Sequence, residues 1–191
     1  ITLISKNTLV DSSTWYAQGG IAAVIDEKDS TEDHLRDTLI AGDGLCNVEA
    51  VRECVSKGKE AIDWLSDIGT SFTRDKSSNN YHLTQEGGHS KRRVVHSEDA
   101  TGKEVSSSLA EIVRSISNIK VLENHICVDL VTAKGRCVGA YVLDINTNEV
   151  KTFSSGSTII ATGGASKIYL YTSNPDGSSG DGIGLAWRAG C

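Results

Sequence analysis

From Ile119 to Ser154 the spacing of apolar residues drops from the three-and-four rhythm of helices to a period of two, and this change constrains the fold more than any other feature. It predicts strands at residues 119–123, 126–132, 137–144 and 150–154, with Lys134-Gly135 and Asn146-Thr147-Asn148 as turns. The last three strands, joined by short turns, are expected to form an antiparallel meander. Residues 157–161 then read as one more buried strand, ending in Thr162-Gly163-Gly164, where the chain must pass close to something. At the other end, residues 1–5 are apolar and β-branched, as a buried parallel strand would be, and Lys6-Asn7 closes them.

Between these strands the period is helical. Ser30, with Asp33 three residues on, starts a helix whose apolar face is Leu35, Leu39 and Ile40 before Gly42 and Gly44 break it. Asn47 caps a second, longer helix with Val48, Val51, Val55, Ile62, Leu65 and Ile68 on one face, Lys57-Gly58-Lys59 facing outward, and Gly69 at its end. Residues 74–80 are polar and read as a surface loop. Thr101 and Glu104 then form a capping box for a helix buried through Val105, Leu109, Ile112, Val113 and Ile116, with Lys103, Glu111 and Arg114 on its wet side. A final helix opens after Ser179-Gly180-Asp181-Gly182, with Asp181 placed to cap it. Strands alternating with helices make an α/β chain.

Four stretches carry residue types suited to chemistry. Ser13-Thr14-Trp15-Tyr16-Ala17-Gln18-Gly19-Gly20 combines hydroxyls, an amide and two glycines, so it can lie flat against a ring system; an ordinary Gly-Gly turn is the alternative. Tyr81-His82-Leu83-Thr84-Gln85-Glu86-Gly87-Gly88-His89-Ser90 offers an acid, Glu86, that could meet an ammonium group. His89, Arg92, Arg93 and His96 follow it, either as a cluster for a dicarboxylate or as a solvated basic loop. Ala161-Thr162-Gly163-Gly164 and Ser179-Gly180-Asp181-Gly182 are glycine-rich turns at strand and helix ends.

In order and wording these stretches resemble the L-aspartate oxidase family of the fumarate reductase/succinate dehydrogenase flavoproteins. The resemblance implies a Rossmann-like FAD-binding domain with an inserted β-meander. On that reading residues 1–191 are a partial FAD-binding domain, an internal piece that lacks the first strand with its G-x-G-x-x-G turn and lacks the capping domain. Residues 1–5 would be the second strand of that fold. Lys6 would lie near the cofactor, where a solvated lysine closing a strand is the other reading. Residues 13–20 would contact the flavin, backbone at Ile126 and Cys127 would pass its adenine end beside Glu123, Gly163 and Gly164 would allow close approach, and Asp181 would contact FAD as well as cap its helix. Respiratory relatives carry, at the position of Ser13, the histidine that links FAD covalently, so a non-covalent FAD is implied here.

Glu86 and His89 would be the substrate-side residues. A carboxylate at Glu86, where respiratory enzymes have an apolar aromatic, leans toward an amino-acid substrate, L-aspartate, oxidised to iminosuccinate with oxygen or fumarate as acceptor. That reaction opens NAD biosynthesis from aspartate, with hand-off to quinolinate synthase. Lys91 stands where the family commonly has histidine, and Ser97-Glu98 where it has two alanines. No general acid or base is assigned, because the family's proton-transferring arginine lies in the capping domain. A soluble fumarate reductase or succinate-oxidising relative, and a truncated non-catalytic FAD-binding remnant, are the rival readings.

Composition excludes several other classes. Net charge is −6 and no basic run exceeds Lys91-Arg92-Arg93, which argues against nucleic acid as a partner. No apolar stretch approaches the roughly 20 residues that cross a bilayer, so no membrane partner is expected. Five scattered cysteines without a C-x-x-C pair argue against a disulfide framework or zinc site and for a reducing compartment, the cytoplasm, or a plastid in a plant.

Overall fold

The computed structural model describes every residue except Asp99. In chain order the elements are β1 (Thr2–Ile4), β2 (Ile21–Ala22), α1 (Thr31–Ala41), α2 (Val48–Ser56), α3 (Gly58–Asp67), β3 (Leu83–Thr84), β4 (Val94–Val95), α4 (Thr101–Ser115), β5 (Lys120–Leu122), β6 (His125–Ala133), β7 (Arg136–Asp144), β8 (Glu149–Ser154) and α5 (Asp181–Ala189). They form two compact units, one of Ile1–Trp15 with Ala110–Cys191, the other of Tyr16–Leu109. Among the described residues no helix is long and apolar enough to cross a membrane.

In the first unit β1 pairs in parallel with β5, Leu3 opposite Val121. Ser5 prolongs the ladder: its N–H donates to Leu122 O at 2.9 Å and its carbonyl accepts from His125 N at 3.0 Å. β6, β7 and β8 make the expected antiparallel meander. Lys134 and Gly135 turn the first hairpin with φ of +52° and +73°, the left-handed pair whose twist matches its strands. A bulge in β6 between Cys127 and Asp129 frees the Val128 carbonyl, and Arg188 of α5 takes it at 3.0 Å while donating to Asp129 Oδ1 at 3.2 Å. Residues 157–161 are not a strand. They run exposed, Ile159 at 89%: among the described residues no strand pairs with them, and an apolar run without a ladder partner gains no sheet.

The second unit is built on the three-stranded antiparallel sheet β2-β4-β3. Its core is Ala23, Ile62, Leu65, Phe72, Val95 and Val105, flanked by Ile21, Ile25, Tyr81 and Leu83. Ile62 is wholly buried, a side chain whose removal from water is worth about 2 to 3 kcal/mol. Ser30 caps α1 by accepting from Asp33 N at 3.1 Å, and Asn47 caps α2 by accepting from Ala50 N at 3.0 Å, both as their sequence positions require. Ile40, expected on the buried face of α1, is 72% exposed.

The single helix expected from Asn47 to Ile68 is two helices. Lys57 leaves helical geometry, and Gly58 does not face outward: a Cβ there would sit 3.2 Å from the Ala23 side chain, so the chain bends to bring α3 against β2. Gly69, with φ +105°, ends α3 as expected. The capping box is also corrected. Thr101 is already inside α4 and accepts from Ser97 N at 2.9 Å, while Glu104 reaches Ser71 N at 2.9 Å, so both side chains anchor neighbouring loops.

Candidate functional site

In the first unit, residues far apart in sequence converge at the start of α5. Lys6, just past β1, donates from Nζ to Gly177 O at 3.2 Å, Ser179 Oγ at 2.6 Å and Asp181 Oδ2 at 2.7 Å. Ser13 Oγ lies 3.4 Å from Ser178 Oγ, and Gly180 N–H donates to Gly164 O at 3.1 Å. Residues 162–164 lie along the first turn of α5, where a Cβ on Gly182 would fall 2.0 Å from Thr162 Oγ1. Lys6, Ser13, Gly164 and Asp181, each named from sequence, therefore share one cluster.

The helix-cap role expected of Asp181 is not seen. Gly180 is the N-cap, in the left-handed conformation at φ +77°, and α5 has no side-chain cap. Asp181, next in the chain, gives its carboxylate to Lys6 and to Ser179 Oγ at 3.0 Å. The Lys6 ammonium holds that carboxyl below the usual carboxylate range, and the helix N-terminus favours the same charge.

Two other named residues stand apart from this cluster. Ile126 and Cys127 lie in β6 opposite Leu143 and Val142, and Cys127 turns its thiol toward Asp129 O. Burial, with Asp129 nearby, pushes that thiol's pKa up, away from reactivity. Glu123 is a tether, accepting from Leu9 N and from Arg114 Nη2, both at 2.7 Å.

Tyr16, Ala17, Gln18, Gly19 and Gly20 open the second unit. Ala17 O accepts from Gly102 N at 3.0 Å, which ties this strip to the first turn of α4. A methyl group on Gly19 would lie 3.4 Å from Glu86 Oε1, so the Gly-Gly strip and the Glu86 carboxylate are neighbours. The Glu86 loop is closed by His89 N–H donating to Glu86 O at 3.2 Å and Gln85 Nε2 donating to His89 O at 2.7 Å, with Gly88 at φ +83°. Glu86 itself is exposed.

Behind that loop lies a buried charge network. Arg93, fully buried, grips Asp29 with Nε and Nη2 at 2.8 Å each, donates from Nη1 to Asp37 Oδ2 at 2.5 Å, and meets His89 Nδ1 at 3.3 Å. Asp37 also accepts from Ser90 N and Oγ at 2.8 Å. Burial alone would raise the Asp37 pKa; the Ser90 and Arg93 donors outweigh it and hold the group at about 2. Asp29 is likewise lowered, its Arg93 fork outweighing burial. His34, packed 5.7 Å from the His89 ring, is buried with Nδ1 unpartnered; burial, then the Arg93 cation, pushes its pKa down.

The basic residues after Glu86, read from sequence as a cluster for a dicarboxylate or as a solvated loop, go to separate internal partners. Arg93 is consumed by internal ion pairs, Arg92 Nε donates to Leu83 O at 2.9 Å, and His96 Nε2 pairs with His82 Nδ1 at 2.8 Å. Of the basic residues named there, His89 alone stays on the Glu86 loop. Asp29, Asp37 and His34 were not visible as site residues, since nothing in their spacing announces that α1 packs its polar residues onto the Glu86 loop.

The arrangement sets open backbone beside an ion pair at a helix N-terminus. Lys6 is bonded at the start of α5, where Gly180 N–H also holds Gly164 O, and an added Cβ on Gly163 or Gly164 would meet nothing within 4 Å. The family model of the FAD binding domain matches residues 1–191, and the chain belongs to that family. FAD is therefore its cofactor, and the Lys6–Asp181 cluster with its glycine strip fits a dinucleotide. The chain is 50% identical to the L-aspartate oxidase of Pseudomonas aeruginosa and 49% identical to that of Vibrio cholerae, in both cases over 100% of its own length and 38% of the relative's. A solved structure of E. coli quinol fumarate reductase superposes on 98% of this chain and 32% of that one, with a TM-score of 0.93 and 28% identity. The chain thus spans less than half the length of the proteins it matches, and its α/β fold is that of this flavoprotein class.

Proposed function

We propose that this chain is the FAD-binding part of an L-aspartate oxidase, which converts L-aspartate to iminosuccinate at the head of NAD biosynthesis and passes the electrons to oxygen or fumarate. The observation that carries the reading is the Glu86 carboxylate beside Gly19, within a chain half identical to L-aspartate oxidases along its whole length. FAD, when bound, supplies the two-electron acceptor. Toward it, Lys6 and the α5 N-terminus offer positive potential to an anion, and residues 13–20 offer backbone and hydroxyl donors. Glu86 pairs with the substrate's α-ammonium, and His89 donates to a carboxylate. Ser13 has no nucleophilic ring nitrogen, so FAD is held without a covalent bond.

Residues 1–191 form part of the FAD-binding domain of a longer enzyme that works in a reducing compartment and hands iminosuccinate to quinolinate synthase. The isolated chain, at about two fifths of its relatives' length, is expected not to turn over aspartate, because a flavin site open to water lacks the dry surroundings that the reaction uses. Likeness in fold to quinol fumarate reductase favours a second reading, fumarate reduction or succinate oxidation. The two part at the substrate's ammonium group. Steady-state oxidation of L-aspartate against succinate by the longer enzyme decides between them, and preference for succinate would overturn the first.

A further inference from the structure

We propose that Arg93 is a positioning residue that holds His89 in one tautomer, with its proton on Nε2, so that His89 meets a substrate carboxylate as a hydrogen-bond donor. The inference rests on the reading of His89 as a substrate-side residue and adds how that residue is prepared. Arg93 Nη1 lies 3.3 Å from His89 Nδ1. A guanidinium has five N–H donors and no acceptor, so His89 Nδ1 must present its lone pair, and the neutral ring must carry its proton on Nε2.

Arg93 cannot turn away to relax that demand. Its side chain is 0% exposed, Asp29 takes Nε and Nη2 as a fork, and Asp37 shares Nη1. Asp37 is itself fixed by both the backbone N–H and the hydroxyl of Ser90, the residue after His89. The same acid therefore anchors the guanidinium and the loop that carries the imidazole. The His89 backbone is held as well, its N–H on Glu86 O and its carbonyl on Gln85 Nε2, and the His34 ring packs at 5.7 Å. Two acids on and before α1 thus orient a ring on the neighbouring loop.

The test uses the longer flavoenzyme labelled with 15N at histidine and arginine. In the wild type, His89 is expected as the Nε2–H tautomer, with an unprotonated Nδ1 that shows scalar coupling to Arg93 Nη1. Detection of a proton on His89 Nδ1, or no such coupling while His89 Nδ1 is resolved, overturns the proposal without any variant. Arg93→Lys, which keeps the cation but loses the fork, should let the Nδ1–H tautomer appear and raise the KM for L-aspartate roughly tenfold, with a smaller change in kcat. Asp29→Asn, which loosens the fork while leaving Arg93 in place, should move both readouts in the same direction. An unchanged tautomer in either folded variant also overturns it. If the tautomer behaves as stated but His89→Phe leaves the KM for aspartate unaltered, the substrate reading of His89 fails, and the proposal falls with it for that separate reason.

Discussion

Lys6 Nζ and Asp181 Oδ2 are 2.7 Å apart across 175 positions of sequence, and through that contact the end of β1 meets the first residue of α5. The side chains are 31% and 42% exposed, so their Coulombic attraction is small; the contact matters because it places a cation and a helix N-terminus together. Lys6→Met and Asp181→Asn should each weaken FAD binding several-fold in the longer enzyme. A double-mutant cycle on the FAD dissociation constant, read by flavin fluorescence, should give a coupling of about 0.5 to 1 kcal/mol. Strict additivity would mean that the two act on the cofactor independently.

If Ser13 faces the flavin as proposed, FAD is held without a covalent bond. Acid precipitation of the longer enzyme should leave the yellow colour in the supernatant. Flavin that stays with the pellet would show a covalent link made by some other residue.

The Glu86 carboxylate is expected to bind an ammonium group. Glu86→Gln keeps size and polarity and loses a charge-assisted hydrogen bond of about 1.5 to 3 kcal/mol, so kcat/KM for L-aspartate should fall roughly ten- to a hundredfold. Fumarate has no ammonium, and its reduction should change little. Gly19→Ala, which sets a methyl 3.4 Å from Glu86 Oε1, should reproduce a weaker form of the same selective loss. Equal losses for both substrates would make Glu86 a prop for its loop.

The buried guanidinium should dominate stability in the second unit. Arg93→Met leaves Asp29 and Asp37 in the interior without their partner, a change that costs about 3 to 5 kcal/mol. Arg92→Met, at the exposed neighbour, should stay within about 0.5 kcal/mol. Urea midpoints for the two variants would invert this order if Arg93 were a surface residue.

Acid should destabilise the chain in two stages. His34 has a folded pKa below its ordinary 6.5, so the unfolded chain takes up its proton first and stability falls as pH drops below about 6.5. Asp37, held at about 2 against an ordinary 3.8, adds stability that is fully present above about 4 and is lost as pH falls toward 2. Melting temperatures should therefore decline from pH 7 to 5, and His34→Gln should flatten that part of the curve. A wild-type melting temperature that rises on acidification through 6.5 would contradict the lowered His34 pKa.

Local rules made much of this protein legible from its residues. The period-two pattern fixed the β6–β8 meander, Ser30 and Asn47 marked helix starts, and Gly69 a helix end, since capping and alternation depend on neighbours a few positions away. The motif wording pointed to the FAD family and to Lys6, Ser13, Gly164 and Asp181, although it could not show them meeting. Tertiary structure alone decided the rest. Residues 157–161 are apolar enough for a strand, yet strandhood needs a partner ladder, which no local pattern encodes. Lys57 breaks a continuous helical pattern because Gly58 must come against Ala23, a contact between elements 35 residues apart in sequence. Arg93 looked like one of several loop cations, and only the packing of α1 beside it, with Asp29 and Asp37 supplying the counter-charges, made it a buried support for His89. Burial decides whether a charge is a surface feature or a structural one, and burial is a property of the assembled chain.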